Sequence, residues 1–306
     1  MKKTAVILTL AALIFGCLSF TGCGKADTGE YEEMLKGMEL VWYDEFEGAD
    51  FDRSKWDYGY IPEEGYTGVP RKGGFWINDA VRVEGGNMII TTDYRKDGEL
   101  GEGWYSGAVE TVSKSDSGVL FSATYGYFEV RCKVPRTYGA WSAFWMMPVG
   151  NFRDDVPGTG TDGAEIDVFE SPFYYDLFQR NTVNHAVHYD GYGENLKSAG
   201  KTGIKVRNLY DEFHTYGVEW TESYYKFYVD GVLTWTVSDK EYENKKGETV
   251  KENCISQAAE YLILSNEVVQ PDVEGETAGW CGDPMKNDLN KKYEFVIDYV
   301  RVYAQK

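Results

Sequence analysis

Positive charge is scarce in this sequence. Its 306 residues include 31 Lys and Arg against 50 Asp and Glu, which gives a formal net charge of −19. A surface of that sign repels nucleic acid and other polyanions. The composition therefore argues against a nucleic-acid partner and favours a neutral substrate.

Cysteine is also rare, with five in the chain. No two of them have the spacing of a zinc site. Cys132 lies in a strand-like run, so we expect a buried free thiol there. Spacing alone does not show whether Cys254 and Cys281 form a disulfide.

Long amphipathic helical periodicity is missing after the N-terminal segment, and no internal repeat or low-complexity linker follows it. The stretch 38–306 therefore reads as one domain. Its length is common for a single large all-β domain.

The N-terminal segment has the features of an export signal. Two lysines precede an almost wholly apolar stretch, residues 5–20, which is too short for a stable membrane span. The stretch ends in Gly22-Cys23, which resembles a bacterial lipoprotein cleavage site with Cys23 as the lipidated first residue. Cys17 is a rival site, and an ordinary cleaved signal peptide is the alternative.

Three segments are therefore predicted: a lipoprotein signal peptide at 1–22, a polar tether at 23–37 and the folded domain at 38–306. The tether is predicted from its small and polar residues. We expect an exported protein, either a cell-surface lipoprotein that contacts a membrane through the lipid on Cys23 or a secreted protein. We expect it to be a monomer.

Strand signals recur through the domain. Apolar and polar residues alternate on both sides of Gly85-Gly86, which predicts one hairpin, and Asp230-Gly231 between two aromatic-rich runs predicts another. A last long strand is expected over 294–303. Many short strands separated by turn signals predict an all-β fold, a jelly-roll sandwich of two antiparallel sheets.

One strand carries an unusual row of acids. Glu165 and Asp167 share a face because strand side chains alternate, while Ile166 points to the core. Regular alternation would place Glu170 on the core face, where a lone carboxylate is costly. A β-bulge around Val168-Phe169 restores it to the face of Glu165, and such bulges are enriched near active sites.

Aligned acids of this kind suit a retaining glycosidase, which needs two carboxyl groups about 5–5.5 Å apart. Residues four positions apart on a flat strand lie about 13 Å apart. The sheet must therefore bend, which also creates a concave groove for a chain substrate. A metal site and a chance acidic strand are the alternatives.

The same motif resembles the signature of glycoside hydrolase family 16 in its bulged Glu-x-Asp-x-x-Glu form. Laminarinases, agarases and carrageenases share that form. The resemblance extends over about 40–305 and rests on further segments at 40–46, 125–131, 139–148, 213–220 and 298–303. It implies that Glu165 is the nucleophile, that Glu170 is the acid/base and that Asp167 assists Glu165.

Aromatic residues are abundant, with 24 Tyr and 9 Trp, which suits stacking on sugars but is also common in β proteins. Trp141 and Trp145 lie four residues apart in a strand-like run and so share a face. On the concave face they would form a sugar platform, with Trp141 the favoured contact; the alternative is core packing. His188 aligns with a groove histidine of laminarinase-like members, whereas His214 is expected to belong to the scaffold.

The remaining predicted substrate contacts lie further along the groove: Trp76, Asn78, Glu267 and Trp280. The resemblance also implies a structural calcium at Asp298, a residue equally suited to capping a strand. Catalysis itself is expected to need no cofactor.

The resemblance implies an endo-acting enzyme for β-1,3- or β-1,3-1,4-glucan, a neutral polysaccharide. An enzyme for a galactan such as agar or carrageenan is the alternative, although sulfated galactans favour basic groove residues, which this chain has few of. A non-catalytic carbohydrate-binding domain would keep the tryptophans but has no need of three aligned acids.

Overall fold

The structure is a computed structural model of the chain. It describes residues 27–306 except 62–64, 115–117, 151, 153–154, 244–248 and 271–279, with backbone alone at 241–243 and 249–252. The signal peptide and Cys23 lie outside the described residues. Within the described residues, no helix is long and apolar enough to span a bilayer.

Strands dominate the described chain. The elements in chain order are α1 (Gly29–Lys36), β1 (Met38–Asp44), β2 (Asp57–Tyr58), β3 (Gly68–Arg71), β4 (Gly74–Ile77), β5 (Val81–Glu84), β6 (Asn87–Arg95), β7 (Gly103–Glu110), β8 (Val112–Ser113), β9 (Gly118–Val119), β10 (Gly126–Lys133), β11 (Ala140–Pro148), β12 (Glu165–Ser171), β13 (Thr182–Tyr189), β14 (Lys197–Lys205), β15 (His214–Trp220), β16 (Tyr224–Val229), β17 (Val232–Ser238), β18 (Lys240–Glu243), β19 (Thr249–Glu252), β20 (Glu260–Val268) and β21 (Tyr293–Gln305). Two 3₁₀ turns cover Asn78–Ala80 and Pro284–Lys286.

Two antiparallel layers form the body of the fold. The first runs β17–β16–β15–β10–β21, and β21 then pairs with β1 along one half and with β6 and β5 along the other. The second runs β2–β7–β20–β11–β12–β13–β14. The β6–β7 pairing links the layers, and β3 and β4 extend that corner.

Apolar side chains from both layers fill the space between them. On β11 and β12, Phe144, Ile166 and Val168 are fully buried, and they belong to the same cluster as Phe128 and Val130 of β10. The alternate residues of β11 and β12 must therefore point away from the core. This arrangement confirms the predicted jelly-roll sandwich and leaves the outer face of the second layer free to carry a site.

The predicted hairpins and the Cys132 thiol are confirmed. The turns at Gly85-Gly86 and Asp230-Gly231 have positive φ at both central positions, which matches the twist of the paired strands. Cys132 is free and buried. Cys254 and Cys281 are also buried, and they are not joined to each other, so the disulfide left open by their spacing is not formed.

The domain begins earlier than predicted, because residues 29–36 of the predicted tether form α1. Tyr31, Met34 and Leu35 share one side of this helix and pack on a small cluster with Met38 and Tyr228. The spacing of three and four residues places such side chains on one helix face. The charged residues Glu30, Glu32, Glu33 and Lys36 around them masked this apolar side in the sequence.

The helix is also tied to the sandwich through a buried carboxylate. Glu129 of β10 accepts hydrogen bonds from the hydroxyls of Tyr31 at 2.8 Å, Tyr127 at 2.9 Å and Tyr299 at 3.0 Å. Burial raises the pKa of Glu129, and the three donors oppose that rise. The Tyr31 hydroxyl of the helix thus supplies one of the three hydrogen bonds to Glu129, a carboxyl group that would otherwise be costly to bury.

Replacing Tyr31 with Phe should lower the free energy of unfolding by about 1.5–3 kcal/mol, because it removes a hydrogen bond to a buried ionisable group. Urea denaturation of the two proteins measures the difference. Tyr43→Phe is the matched control, since Tyr43 is 51% exposed and should tolerate the change. Equal stability of Tyr31→Phe and wild type would show that α1 contributes nothing through this bond.

Candidate active site

The predicted bulge in β12 is confirmed. Asp167 pairs with Ala186 of β13 and Glu170 pairs with Asn184, so three steps along β12 face two along β13. The register with β11 shifts at the same place. The extra residue turns Glu170 back to the face of Glu165 and Asp167.

The three acids line one cleft on the outer face of the second layer, with a volume of about 670 Å³. Glu165 is half-buried, whereas Asp167 and Glu170 are buried. The other predicted residues that line the cleft are Trp141, Trp145, His188, Glu267 and Trp280. The sequence prediction thus brought together residues from four strands and a loop.

Each acid has a different partner. The Tyr192 hydroxyl donates to Glu165 Oε2. Asp167 Oδ2 lies 3.3 Å from His188 Nε2. The indole Nε1 of Trp141 donates to Glu170 Oε1 at 2.9 Å.

Burial and mutual repulsion hold protons on this row. Burial, reinforced by the charge of Asp167, raises the pKa of Glu165 to about 7. Burial also raises the pKa of Glu170 well above its usual range, and the charges of Asp167 and Glu165 add to that rise. The outer pair titrates as a coupled set, so over an interval of pH one carboxyl is ionised and the other protonated. That state supplies a nucleophile and an acid together.

The tryptophans form an aromatic wall beside the acids. Trp141 and Trp145 both reach the cleft from β11, which confirms that they share the outer face. Trp145 donates its indole N–H to Ser265 at 3.0 Å. Trp280 meets Trp141 edge to face, with centroids 4.7 Å apart. Half-exposed rings of this kind offer apolar faces to a sugar.

Beside Trp141, Glu267 of β20 is held by Arg71 of β3. Arg71 Nε donates to Glu267 Oε1 at 2.8 Å, and the guanidinium also lies 4.7 Å from the ring centroid of Trp76. Glu267 is buried, and its Oε2 accepts no hydrogen bond within the described residues. The Arg71 guanidinium thus neutralises Glu267 in this structure.

Trp76 and Asn78 do not line the cleft. The Trp76 indole is buried and donates to the Asn266 carbonyl at 3.1 Å. Asn78 Oδ1 accepts from the Tyr60 hydroxyl at 2.7 Å. We expected both residues at the end of the groove, and the structure corrects this. Both side chains hydrogen-bond to neighbours and lie outside the cleft.

The histidines have distinct surroundings. His188 contacts Asp167 and places Nδ1 2.5 Å from Ser198 Oγ. His185 is buried, with Nδ1 2.6 Å from the Val168 carbonyl in the bulge and Nε2 2.9 Å from Thr234 Oγ1. Burial lowers the pKa of His185 to about 4, so its ring stays neutral.

His214 belongs to the scaffold, as expected. It is buried, and its Nδ1 lies 2.8 Å from Asp230 Oδ2 beside the β16–β17 turn. It does not line the cleft. The residue therefore helps to fix a turn of the first layer.

One group of described side chains has metal-ligand proximity. The ligating atoms of Glu165, Asp167 and His188 lie within 4.8 Å of one another. Glu165 already accepts from Tyr192, and Asp167 contacts His188. The three side chains are therefore already engaged by one another or by Tyr192.

The expected calcium site does not fit the residues around Asp298. Arg131 donates to Asp298 Oδ2, so a guanidinium already neutralises the carboxylate that would bind the ion. Calcium prefers six to eight oxygen ligands. Within the described chain, Asp298 belongs to no group of three side chains with metal-ligand proximity.

Sequence reasoning missed Tyr192 and Arg71. Tyr192 stands on an exposed turn whose base is fixed by buried Asp190, which accepts the Gly158 backbone N–H at 2.9 Å. Its ring packs edge to face with Phe152, centroids 4.8 Å apart. No local pattern marks such residues, since each reaches the cleft only through the path of its loop or strand.

A jelly-roll sandwich with coupled carboxyl groups in a cleft walled by aromatic rings has the features of a glycoside hydrolase. The model described as the GH16 domain of beta-porphyranase A-D matches residues 42–305. The chain therefore belongs to glycoside hydrolase family 16 and is a glycosidase, as the resemblance implied.

Individual relatives agree with this family. The chain is 28% identical to glucan endo-1,3-beta-glucosidase A1 of Niallia circulans, over 89% of this chain and 38% of that protein. It is 27% identical to the beta-glucanase of Rhodothermus marinus, over 99% of this chain and 94% of that protein. This chain thus spans less than half of the first relative and nearly all of the second.

A solved structure has the same fold. It comes from work on endo-acting O-glycanases with which prominent members of the human gut microbiota initiate mucin breakdown. The two chains superpose with a TM-score of 0.64 at 28% identity, over 88% of this chain and 92% of that one.

The raised pKa values predict a bell-shaped dependence of kcat/KM on pH. The roles that the family resemblance implies need an ionised Glu165 and a protonated Glu170, so the acid limb should lie near pH 7 rather than at an ordinary carboxyl value. Asp167→Asn removes a charge that raises both pKa values, so both limbs should move to lower pH.

A pH–rate profile of wild type and Asp167→Asn measures this shift. Asp211→Asn is the control, because Asp211 pairs with Arg136 and does not line the cleft. Limbs that stay in place in Asp167→Asn would contradict the proposed electrostatic coupling.

Proposed function

We propose that this glycosidase is a retaining endo-β-glucanase for β-1,3- or β-1,3-1,4-linked glucan. The observation that carries the proposal is the placement of Glu165 and Glu170 on one face of a bulged strand, inside one cleft and with raised pKa values. In this assignment Glu165 is the nucleophile and Glu170 the acid/base.

The reaction proceeds in two displacements. The Glu165 carboxylate attacks the anomeric carbon while Glu170 gives its proton to the departing glycosidic oxygen, so a glycosyl ester replaces the glycosidic bond. Glu170, now ionised, takes a proton from water as that water attacks the same carbon and releases Glu165. Two inversions retain the anomeric configuration. The contact of Asp167 with His188 keeps the middle carboxylate beside the nucleophile.

The substrate assignment rests on the cleft and on the relatives. Trp141, Trp145 and Trp280 provide rings for a polymer of neutral sugars, which also suits a chain of net charge −19. The curated relatives named above carry glucanase names. We extend that substrate class to this chain.

A galactan is the second candidate. The matching family model is described as that of a beta-porphyranase. Arg71 and Lys72 also line the cleft, and basic residues there favour a substrate that carries sulfate. Arg71 is neutralised by Glu267 in this structure, which limits its attraction for a sulfate group.

Glu165→Gln and Glu170→Gln should each lower kcat by about 10³-fold, because each removes a group that exchanges a proton or a bond in the reaction. Initial rates on soluble polysaccharide measure the loss, and affinity electrophoresis measures binding. Retained binding with lost cleavage is expected of an enzyme. Unchanged rates in either variant would remove these residues from the mechanism, and binding without cleavage in wild type would indicate a carbohydrate-binding domain.

Digestion of laminarin, barley mixed-linkage glucan, agarose and porphyran in parallel should yield short oligosaccharides from the first two. Proton NMR of the fresh products should show the β-anomer first, since the configuration is retained. Glu165→Gln is the blank for contaminating activity. Products from agarose or porphyran alone would overturn the glucan assignment while keeping the mechanism, and an initial α-anomer would contradict double displacement.

We also propose that the protein is exported and acts as a monomer on the cell surface, held by a lipid on Cys23. The support is the charged and apolar start of the sequence and the Gly22-Cys23 pair. Expression with radiolabelled palmitate in a bacterial host should label the wild-type protein and leave Cys23→Ser unlabelled. Cys17→Ser is the control and should keep the label. Secretion of unlabelled wild-type protein would favour an ordinary signal peptide.

A further inference from the structure

The hydrogen bond between Trp141 and Glu170 gives the tryptophan a second task besides sugar contact. Its indole Nε1 lies 2.9 Å from Glu170 Oε1. Trp141 and Glu170 stand on adjacent strands, with Glu170 opposite Ala143, two residues beyond Trp141 on the same face. An indole N–H is a donor and never an acceptor. Glu170 Oε1 must therefore present a lone pair to it.

The indole is fixed in this position by its surroundings. Trp280 meets Trp141 edge to face at 4.7 Å, and Phe173 meets Trp280 in turn at 5.7 Å. On the other side, β11 pairs with β20, where Glu267 is the register partner of Trp141. A rotation that turned the N–H away from Glu170 would also break the edge-to-face contact with Trp280.

We propose that Trp141 is the positioning residue of the acid/base. Because the N–H occupies Oε1, the proton of neutral Glu170 is confined to Oε2, the oxygen left to face the glycosidic bond. After that proton has left, the same N–H stabilises the carboxylate that must act as base. The inference rests on the proposed role of Glu170 as acid/base.

Electrostatics around Glu170 make this donor significant. The charged groups that face it are Asp167 and Glu165 on its own strand and Glu267 on β20, and all three disfavour its ionised form. Asn184 on β13 is uncharged, and its Oδ1 accepts the Gly203 backbone N–H at 3.3 Å. Within the described residues, the indole is the group that hydrogen-bonds the Glu170 side chain and opposes these charges.

Trp141→Phe tests the proposal, because phenylalanine keeps an apolar ring and loses the N–H. Kinetics are measured on aryl β-glycosides of the oligosaccharide that the enzyme releases. For the 4-methylphenyl glycoside, whose leaving group needs a proton, kcat should fall about tenfold. For the dinitrophenyl glycoside, whose leaving group needs none, the formation of the glycosyl ester should be nearly unchanged.

The pH profile provides an independent readout. Loss of a donor to ionised Glu170 raises the pKa of its carboxyl, so the alkaline limb of kcat/KM should move to higher pH in Trp141→Phe. Trp145→Phe is the matched control, because it also removes a cleft indole N–H, but one that serves Ser265. Its alkaline limb should stay where it is in wild type.

The outcomes are distinct. Equal losses on both glycosides with an unmoved alkaline limb would reduce Trp141 to a sugar contact and overturn the inference. Glu170→Ala separates this inference from the proposed role of Glu170. This variant should form the glycosyl ester from the dinitrophenyl glycoside at nearly the wild-type rate, and added azide should restore its turnover. If it does neither, the role of Glu170 itself fails.

A measurement on the unmodified active site covers the case in which Trp141→Phe does not fold. In protein labelled with ¹⁵N-tryptophan, one indole N–H resonance should shift with pH along the alkaline limb, and Glu170→Gln should abolish that shift. No indole resonance following the limb would overturn the inference.

Discussion

The bulge at Val168 is the local constraint on which the catalytic arrangement depends. Without it, regular alternation would bury Glu170 beside Ile166 between the two layers, at a large cost in desolvation. The bulge is itself held from the core, since His185 contacts the Val168 carbonyl and reaches Thr234 of β17 in the opposite layer. The spacing of the acids on the outer face is therefore set by contacts across the sandwich.

The three acids lie in a row on one face and repel one another when they are ionised. Burial and like charge raise the pKa values of the outer pair, which would hold both protonated if nothing opposed it. Two neutral donors, the Tyr192 hydroxyl and the Trp141 indole, each bind one outer carboxylate and favour its ionised form. The balance permits a shared proton, which double displacement requires.

The acids at the floor of the cleft and the residues of its walls come from different parts of the chain. The acids and Trp141 come from neighbouring strands, whose register fixes them as a unit. Arg71 comes from β3 and Trp280 from a stretch between β20 and β21. The same catalytic strands can serve several polysaccharides when the residues of the cleft walls change. This explains why the relatives and the family model have names with different substrates although they share the family.

The sequence by itself determined the all-β fold, the row of acids with its bulge and the shared face of Trp141 and Trp145. Period-two alternation and the cost of burying a carboxylate are local physics, legible in a few consecutive residues. The end of the tether was misjudged, because the apolar side of α1 is short and finds its partners on distant strands.

Only the tertiary structure decided the partners of the acids and the walls. Arg71 binds Glu267 across 196 positions of sequence, and Trp76 lies behind that pair rather than in the cleft. Tyr192 reaches Glu165 through a turn anchored by Asp190. Asp298 faces an arginine where a calcium was expected. Such pairings follow from the path of loops and the register of remote strands, and no short-range pattern encodes either.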